Sequence, residues 1–107
     1  MSFISIVHGR IISGISLKEN RDFIGSLDKN QTFPWIMPEM FGFQDLESPY
    51  YFNQPVITFG ATYKQVEDDW SSWLIRFEHI LENLDFDTAK IQLETEIIKM
   101  HFCTNKN

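Results

Sequence analysis

Cysteine is almost absent from this sequence: Cys103 is the only one among 107 residues. A single cysteine cannot form a disulfide within the chain, and the opening residues MSFIS have neither the basic segment nor the long apolar segment of a secretory signal. We therefore expect a cytoplasmic protein, because a reducing compartment suits a chain without disulfides. Cys103 itself is expected to be a partly buried, unreactive thiol, since no general base accompanies it.

Long apolar runs are also missing. Arg10, Glu19 and Arg76 interrupt the best candidates well before the roughly 18 to 20 residues that a membrane-spanning helix requires. Motifs for cofactors and metals are lacking too, because the chain has no GxGxxG or GxxxxGK loop, no CxxC and no HExxH. We therefore expect no membrane contact, no cofactor and no bound metal.

Basic residues are scarce. Nine Lys and Arg stand against fifteen Asp and Glu, which gives a formal net charge of −6. Proteins bind nucleic acids chiefly by neutralising phosphates with Lys and Arg, so this balance argues against direct nucleic-acid binding and favours a basic protein partner. The acidity is regional, because residues 39–69 contain six acids and only one base, Lys64.

The apolar content is high enough for a folded domain. The residues are 43% hydrophobic and 15% aromatic, which is too apolar for a disordered chain. At this length we expect a single domain over residues 1–107.

The first part of the chain predicts a strand followed by a helix. Residues 3–15 are rich in β-branched side chains and indicate a strand, or a strand bent at Gly9. Ser16 and Glu19 have the spacing of a capping box, which predicts that a helix begins here and covers residues 17–27.

A second helix is predicted over residues 69–84. Its apolar residues recur at the i, i+3, i+4, i+7 spacing of one helical face: Trp70, Trp73, Leu74, Phe77, Ile80, Leu81 and Leu84. Asp68 or Asp69 is expected to cap its N-terminus. Residues 56–63 indicate a strand, and the alternation of apolar and polar residues over 89–97 indicates another.

Between these elements, residues 30–55 contain all four prolines and many aromatic residues, so we expect an ordered, irregular segment. Its aromatic side chains either cover the core or form a surface that binds a partner. Taken together, the elements predict an α+β fold in which a small, mostly antiparallel sheet packs with two helices, at about 17–27 and 69–84.

Acidic and aromatic residues in the middle of the chain are the candidate contact surface. Carboxylates steer a basic partner and aromatic rings anchor it, and Trp35 also belongs to this mixture. The predicted partner-binding residues are Glu39, Asp45, Glu47, Tyr50, Tyr51, Tyr63, Glu67, Asp68 and Asp69.

Several segments resemble a known family. They are FGATY at 59–63, EDDW at 67–70, FEHIL at 77–81 and DFDTAKIQLETE at 85–96. In these segments the chain resembles the small cytoplasmic immunity proteins of bacterial contact-dependent growth inhibition systems.

The resemblance implies a protein without enzymatic activity that binds a toxin domain one to one and blocks its active site or substrate path. Many such toxins are nucleases with basic clefts, and a ribonuclease is the favoured target. The binding protein would act as a monomer or as a 1:1 heterodimer with its toxin.

Two alternatives remain open. The chain could be an anti-restriction protein, a nucleic-acid mimic or an adaptor that binds another basic target, since these share its acidity. It could also be a small hydrolase in which His8 and His101 act as acid and base on a phosphodiester, with Arg10 or Lys99 as the cation.

Overall fold

The computed structural model of the chain describes residues 4–43, 55–95 and 99–105. These residues form β1 (Ile4–Ser13), α1 (Leu17–Gly25), β2 (Phe41–Phe43), β3 (Val56–Lys64), α2 (Trp70–Glu82), β4 (Phe86–Glu94) and β5 (Lys99–Asn105). Short 3₁₀ turns at Pro38–Met40 and Val66–Asp69 precede β2 and α2. The predicted α+β fold, an antiparallel sheet packed with two helices, is confirmed.

The five strands form one sheet in the order β2-β3-β1-β4-β5, and every neighbouring pair is antiparallel. The middle strand, β1, pairs without a shift through Gly9; its irregularity lies at Ile12 and Ser13 instead. Gly9 is needed for close approach, because a Cβ there would lie 2.0 Å from the carbonyl oxygen of Lys90. The bend that we considered at Gly9 is therefore not present.

Both helices pack on one face of the sheet. On β1 the side chains of Ser5, Val7, Ile11 and Ser13 are buried on this face, and on α2 the buried residues are Trp73, Phe77, Ile80 and Leu81. The ring of Phe77 lies 4.9 Å from that of Phe59 on β3. Each fully buried Val, Ile, Leu or Phe side chain contributes about 1.5–3 kcal/mol. The apolar stripe predicted for the second helix is thus confirmed.

The start of α1 corrects one prediction. Ser16 precedes the helix but makes no capping bond through its side chain, so the capping box with Glu19 does not form. Instead, the backbone N–H of Ser16 donates to Asp85 Oδ2 at 3.1 Å. A carboxylate from the turn between α2 and β4 therefore satisfies this helix end, and helix α1 ends at Gly25, before the predicted limit.

The irregular segment between α1 and β2 is held by side-chain hydrogen bonds. Gln31 accepts from the N–H of Ile36 at 3.1 Å and donates to its carbonyl at 2.8 Å. Arg76 on α2 donates to the carbonyl of Pro34 at 2.6 Å and to Thr32 Oγ1 at 2.9 Å. These bonds fix the segment against α2, with Pro34 and Ile36 buried.

The strand β5 was not predicted as a separate element. Its residues pair with β4 from Thr88–Asn105 to Glu94–Lys99, so the chain doubles back after β4. This pairing includes Thr104 and Asn105, opposite Ala89 and Thr88.

The other face of the sheet carries no helix within the described residues. Its side chains follow from the alternation along each strand: Ile4, Ile6, His8, Arg10 and Ile12 on β1; Val56, Thr58, Gly60, Thr62 and Lys64 on β3; Thr88, Lys90, Gln92 and Glu94 on β4; Lys99, His101, Cys103 and Asn105 on β5. We call this the open sheet face.

Candidate functional site

Carboxylates line the outer side of α2 and of the 3₁₀ turn before it. We call this the acidic helix surface, and its residues are Glu67, Asp68, Asp69, Glu78 and Glu82. The only cation in residues 66–82 is Arg76, whose guanidinium is occupied by Thr32 and Pro34. The charge that α2 presents to solvent is therefore almost entirely negative.

Ile75 gives this surface an apolar contact point. Its side chain is 56% exposed although it lies in the middle of α2. Glu78 lies about one helical turn after Ile75, and the exposed Ser71 and Ser72 lie about one turn before Ile75. An exposed aliphatic side chain with carboxylates along the same helix is suited to contact an apolar patch inside a basic surface.

The predicted contact residues Asp68 and Asp69 are exposed in the structure. Neither forms the predicted side-chain cap of α2, so that prediction is wrong. Glu67 is half-buried, and it accepts a hydrogen bond from the buried Ser5 on β1. Two of these three neighbouring acids are thus available to a partner, while the third also holds the turn against the sheet.

Glu39 is exposed but is not a free carboxylate. It forms an ion pair with Lys29, with the charged atoms 2.7 Å apart, and the hydrogen bond from Lys29 lowers the pKa of the Glu39 carboxyl from its ordinary value. The predicted contact residues Asp45, Glu47, Tyr50 and Tyr51 lie outside the described residues.

Tyr63 is a core residue, so the aromatic anchor predicted there is not on the surface. Its side chain is 6% exposed. The hydroxyl donates to the carbonyl of Trp35 at 2.5 Å and accepts from Trp73 Nε1 at 3.1 Å. Burial raises the pKa of this hydroxyl above its ordinary value. The alternation along β3 contains the signal, because Tyr63 has the same parity as the buried Ile57 and Phe59.

Among the aromatic residues of the irregular segment that the structure describes, Trp35 lies at the surface. It is 43% exposed, its indole N–H donates to the Gln31 carbonyl at 2.9 Å, and its ring packs edge-on against Phe33. Phe41 is buried and Phe43 is half-buried. The described part of the irregular segment therefore supplies core residues and an exposed indole.

A second surface, of opposite charge, lies on the open sheet face. This face holds four of the nine Lys and Arg, namely Arg10, Lys64, Lys90 and Lys99, but only one acid, Glu94, among its described residues. Its centre is a depression of about 750 Å³. We call it the basic groove; its floor and walls include His8, Arg10, Thr58, Lys90, His101 and Cys103.

The sheet register brings the groove together. Arg10 lies directly opposite Lys90, which in turn lies opposite Cys103. In the next row, Gln92 lies between His8 and His101. The two histidines that we considered as a catalytic pair thus share one face, with their backbones two strand spacings apart, roughly 10 Å.

Glu94 is the charge partner at one end of this face. Its carboxylate lies 3.6 Å from His8 Nε2 and 3.8 Å from Lys99 Nζ, and it accepts a hydrogen bond from Gln92 at 2.9 Å. Cys103 is exposed in the groove, so the expectation of a partly buried thiol is wrong. Sequence reasoning missed the groove because its cations are far apart along the chain and the pairing of β1 with β4 was not predictable from periodicity.

The described residues contain no group of three His, Cys, Asp or Glu side chains that could hold a metal ion. His79 and Glu82 approach each other to 3.6 Å on α2, with both side chains more than two thirds exposed. In the same part of the chain, no helix is long and apolar enough to cross a bilayer.

Comparisons of the chain with protein-family models, with curated proteins and with solved structures found no match.

Proposed function

We propose that this chain is an immunity protein that binds a basic toxin domain, a nuclease and by preference a ribonuclease, and neutralises it. The observation that carries the proposal is the cluster of carboxylates on α2 and the turn before it, where Arg76 is the only Lys or Arg and its guanidinium is occupied. The helix side presents Asp68, Asp69, Glu78 and Glu82, while the exposed Lys64, Lys90 and Lys99 lie on the open sheet face. A basic protein is therefore attracted to one defined side of the molecule.

The acidic helix surface has the two components of a tight interface. Its carboxylates accelerate encounter with a basic partner, because opposite charges steer association. The side chain of Ile75 can then enter an apolar pocket of the partner, and such buried anchors supply most of the binding energy. Helix α2 holds the carboxylates and Ile75 in fixed positions, because Trp73 and Phe77 on its other side are fully buried.

Neutralisation requires no chemistry from this chain. A nuclease cleft binds substrate phosphates with cationic side chains, and the carboxylates of the acidic helix surface match that charge pattern. Occupation of the cleft, or of the path to it, excludes the substrate by steric and electrostatic means. No cofactor is needed for this action.

The experiment that tests the proposal is a binding measurement with the purified toxin domain encoded beside this gene. We expect a dissociation constant in the nanomolar range or below, and loss of nuclease activity at one equivalent. The absence of binding at about 1 μM would contradict the proposal. Binding to a restriction enzyme and not to the toxin would instead identify the chain as an anti-restriction protein.

A pair of charge reversals locates the interface. Asp68→Lys/Asp69→Lys should reduce the association rate at least about tenfold at low salt, because both exposed carboxylates attract the basic partner before contact. The matched control is Glu19→Lys/Asp22→Lys, which makes the same change of net charge at exposed positions of α1. Equal rate losses in the two variants would show that only net charge matters and would remove the acidic helix surface as the interface.

A further inference from the structure

The basic groove on the open sheet face contains two cations that face each other with no acid to separate them. Arg10 on the central strand β1 pairs directly with Lys90 on β4. At this register the two Cα atoms are about 4.5–5.5 Å apart. Within the described residues, no Asp or Glu lies within ion-pair distance of either side chain. Like charges placed directly opposite each other on a sheet are destabilising unless a counter-charge joins them.

The cations are surrounded by hydrogen-bond donors and not by acids. Thr58 lies opposite Arg10 on its other side, and His101 on β5 lies diagonally across from Lys90, in the next row on this face. Both belong to the lining of the depression of about 750 Å³. Among the described residues of this face, the only carboxylate is that of Glu94, which interacts with His8, Gln92 and Lys99 at its own end of the face. The groove is thus a local positive site on a chain of net charge −6.

We propose that this groove binds a small phosphorylated molecule, with the phosphate between Arg10 and Lys90. A phosphate monoester supplies two negative charges and several acceptor oxygens, which match a guanidinium, an ammonium and the neighbouring hydroxyl and imidazole donors. The volume of the groove is in the usual range of small-molecule sites, about 300–1,000 Å³. Next to the charged row, the partly exposed Ile12 offers apolar contact to the rest of the ligand.

A single-stranded nucleic acid fits this face less well. Proteins that bind single strands stack the bases on exposed aromatic rings. The described strands place no Phe, Tyr or Trp side chain on the open sheet face; the ring of Phe102, whose backbone borders the groove, packs against Trp70 on the helix side. The negative net charge of the protein also repels a polyanion at long range. A single small phosphate is affected mainly by the nearby positive charges of Arg10 and Lys90.

This site does not depend on the proposed neutralisation of a toxin, because the groove and the acidic helix surface lie on opposite sides of the sheet. A ligand could therefore occupy the groove in the free protein and in the toxin complex alike.

The test is a titration of the full chain, at constant ionic strength, with inorganic phosphate, phenyl phosphate and a short single-stranded oligonucleotide. Amide resonances of the ¹⁵N-labelled protein report where each probe binds. We expect saturable shifts at Arg10, Lys90 and His101 with both phosphates, and tighter binding of phenyl phosphate than of inorganic phosphate, because its ring can contact Ile12.

The Arg10→Gln/Lys90→Gln variant should bind phenyl phosphate at least about tenfold more weakly. Its resistance to urea should not fall, since the change removes a like-charge pair. The matched control is Lys18→Gln/Lys64→Gln, which removes two exposed cations outside the groove and should keep the affinity.

Three results would overturn the proposal. One is the absence of saturation by about 10 mM phenyl phosphate; another is an equal loss of affinity in both double variants. The third is binding of the oligonucleotide more than about tenfold tighter than phenyl phosphate, which would assign the groove to nucleic acid.

Discussion

The indole N–H of Trp73 donates a hydrogen bond to the hydroxyl of Tyr63 at 3.1 Å. The same hydroxyl donates to the carbonyl of Trp35, so one oxygen joins α2, β3 and the irregular segment. Trp73 is fully buried, and a buried donor that loses its acceptor keeps the whole cost of its desolvation. This bond thus ties the exposed Trp35 to the core behind the acidic helix surface.

Removal of that oxygen should destabilise the fold without a large change in packing. We expect Tyr63→Phe to lower the free energy of unfolding by about 1–3 kcal/mol, since the indole N–H of Trp73 and the carbonyl of Trp35 both lose their partner. Urea unfolding followed by tryptophan fluorescence measures the difference. An unchanged midpoint with an unchanged slope would contradict the importance of this bond.

The same hydroxyl predicts a dependence of stability on alkaline pH. Burial raises the pKa of Tyr63 above its ordinary value of 10.0, so the unfolded chain releases this proton at a lower pH than the folded chain does. Below about pH 10 both chains keep the Tyr63 proton. Above it, the unfolded chain loses this proton more readily, which shifts the equilibrium towards unfolding. The free energy of unfolding should therefore decline as the pH rises past this value.

Urea unfolding between about pH 8 and 11 measures this decline, and Tyr63→Phe is the control. The stability advantage of the natural chain over the variant should shrink in the upper part of the range. An advantage that stays constant would show that Tyr63 ionises equally in the folded and unfolded chains.

The elements that could be predicted from the sequence are those with a local periodic signal. The stripe through Trp73, Phe77 and Ile80 predicts α2 because a helix places such residues on one side, and the alternation along 89–97 predicts most of β4 for the same kind of reason. These patterns require no knowledge of the partner element.

The features that could not be predicted depend on residues far apart in the chain. Asp85 accepts a hydrogen bond at the start of α1 from 69 residues beyond Ser16, so the capping box predicted from neighbouring residues was wrong. The basic groove likewise exists only because the pairing of β1 with β4 places Arg10 opposite Lys90. The count of charge over residues 39–69 therefore included Glu67, Asp68 and Asp69, which are neighbours in the chain, but not Glu78 and Glu82, and it missed the basic groove.

Two glycines should respond to alanine in opposite ways. A Cβ at Gly9 would lie 2.0 Å from the Lys90 carbonyl oxygen and 2.7 Å from the Phe59 ring, so β1 and β4 would have to separate. We expect Gly9→Ala to cost about 1–3 kcal/mol or more.

Gly25, at the end of α1, is surrounded by open space: a Cβ added there would have no atom within 4 Å, and the residue does not have a positive φ. Gly25→Ala should therefore be neutral or stabilise by up to about 1 kcal/mol, through the lower entropy of the unfolded chain. Urea unfolding of the two variants side by side checks both values, and similar losses in both would contradict the close approach at Gly9.

Asn20 should be the most sensitive polar residue of α1. Its side-chain amide donates to Ser13 Oγ at 2.9 Å and to the carbonyl of Asp85 at 2.7 Å, and its oxygen accepts from the N–H of Asp85 at 2.9 Å. Because Asn20 is 2% exposed, Asn20→Ala would leave several of these groups without a partner and should cost about 2–4 kcal/mol.

Asn20→Asp should be at least as damaging, since a carboxylate cannot donate to Ser13 or to the Asp85 carbonyl. The control is Lys18→Ala on the same helix, which is exposed and should change the stability by less than about 0.5 kcal/mol. A mild effect of both Asn20 variants would show that water replaces these hydrogen bonds.

The apolar contribution to the proposed toxin interface can be measured with two isoleucines of equal exposure. Ile75 on α2 is 56% exposed and Ile4 on the open sheet face is 57% exposed, so serine at either position should change the stability by less than about 0.5 kcal/mol. If Ile75 is a buried anchor in the complex, Ile75→Ser should weaken toxin binding at least about tenfold, chiefly through faster dissociation. Ile4→Ser should leave the affinity unchanged, and the reverse order of effects would move the interface to the sheet.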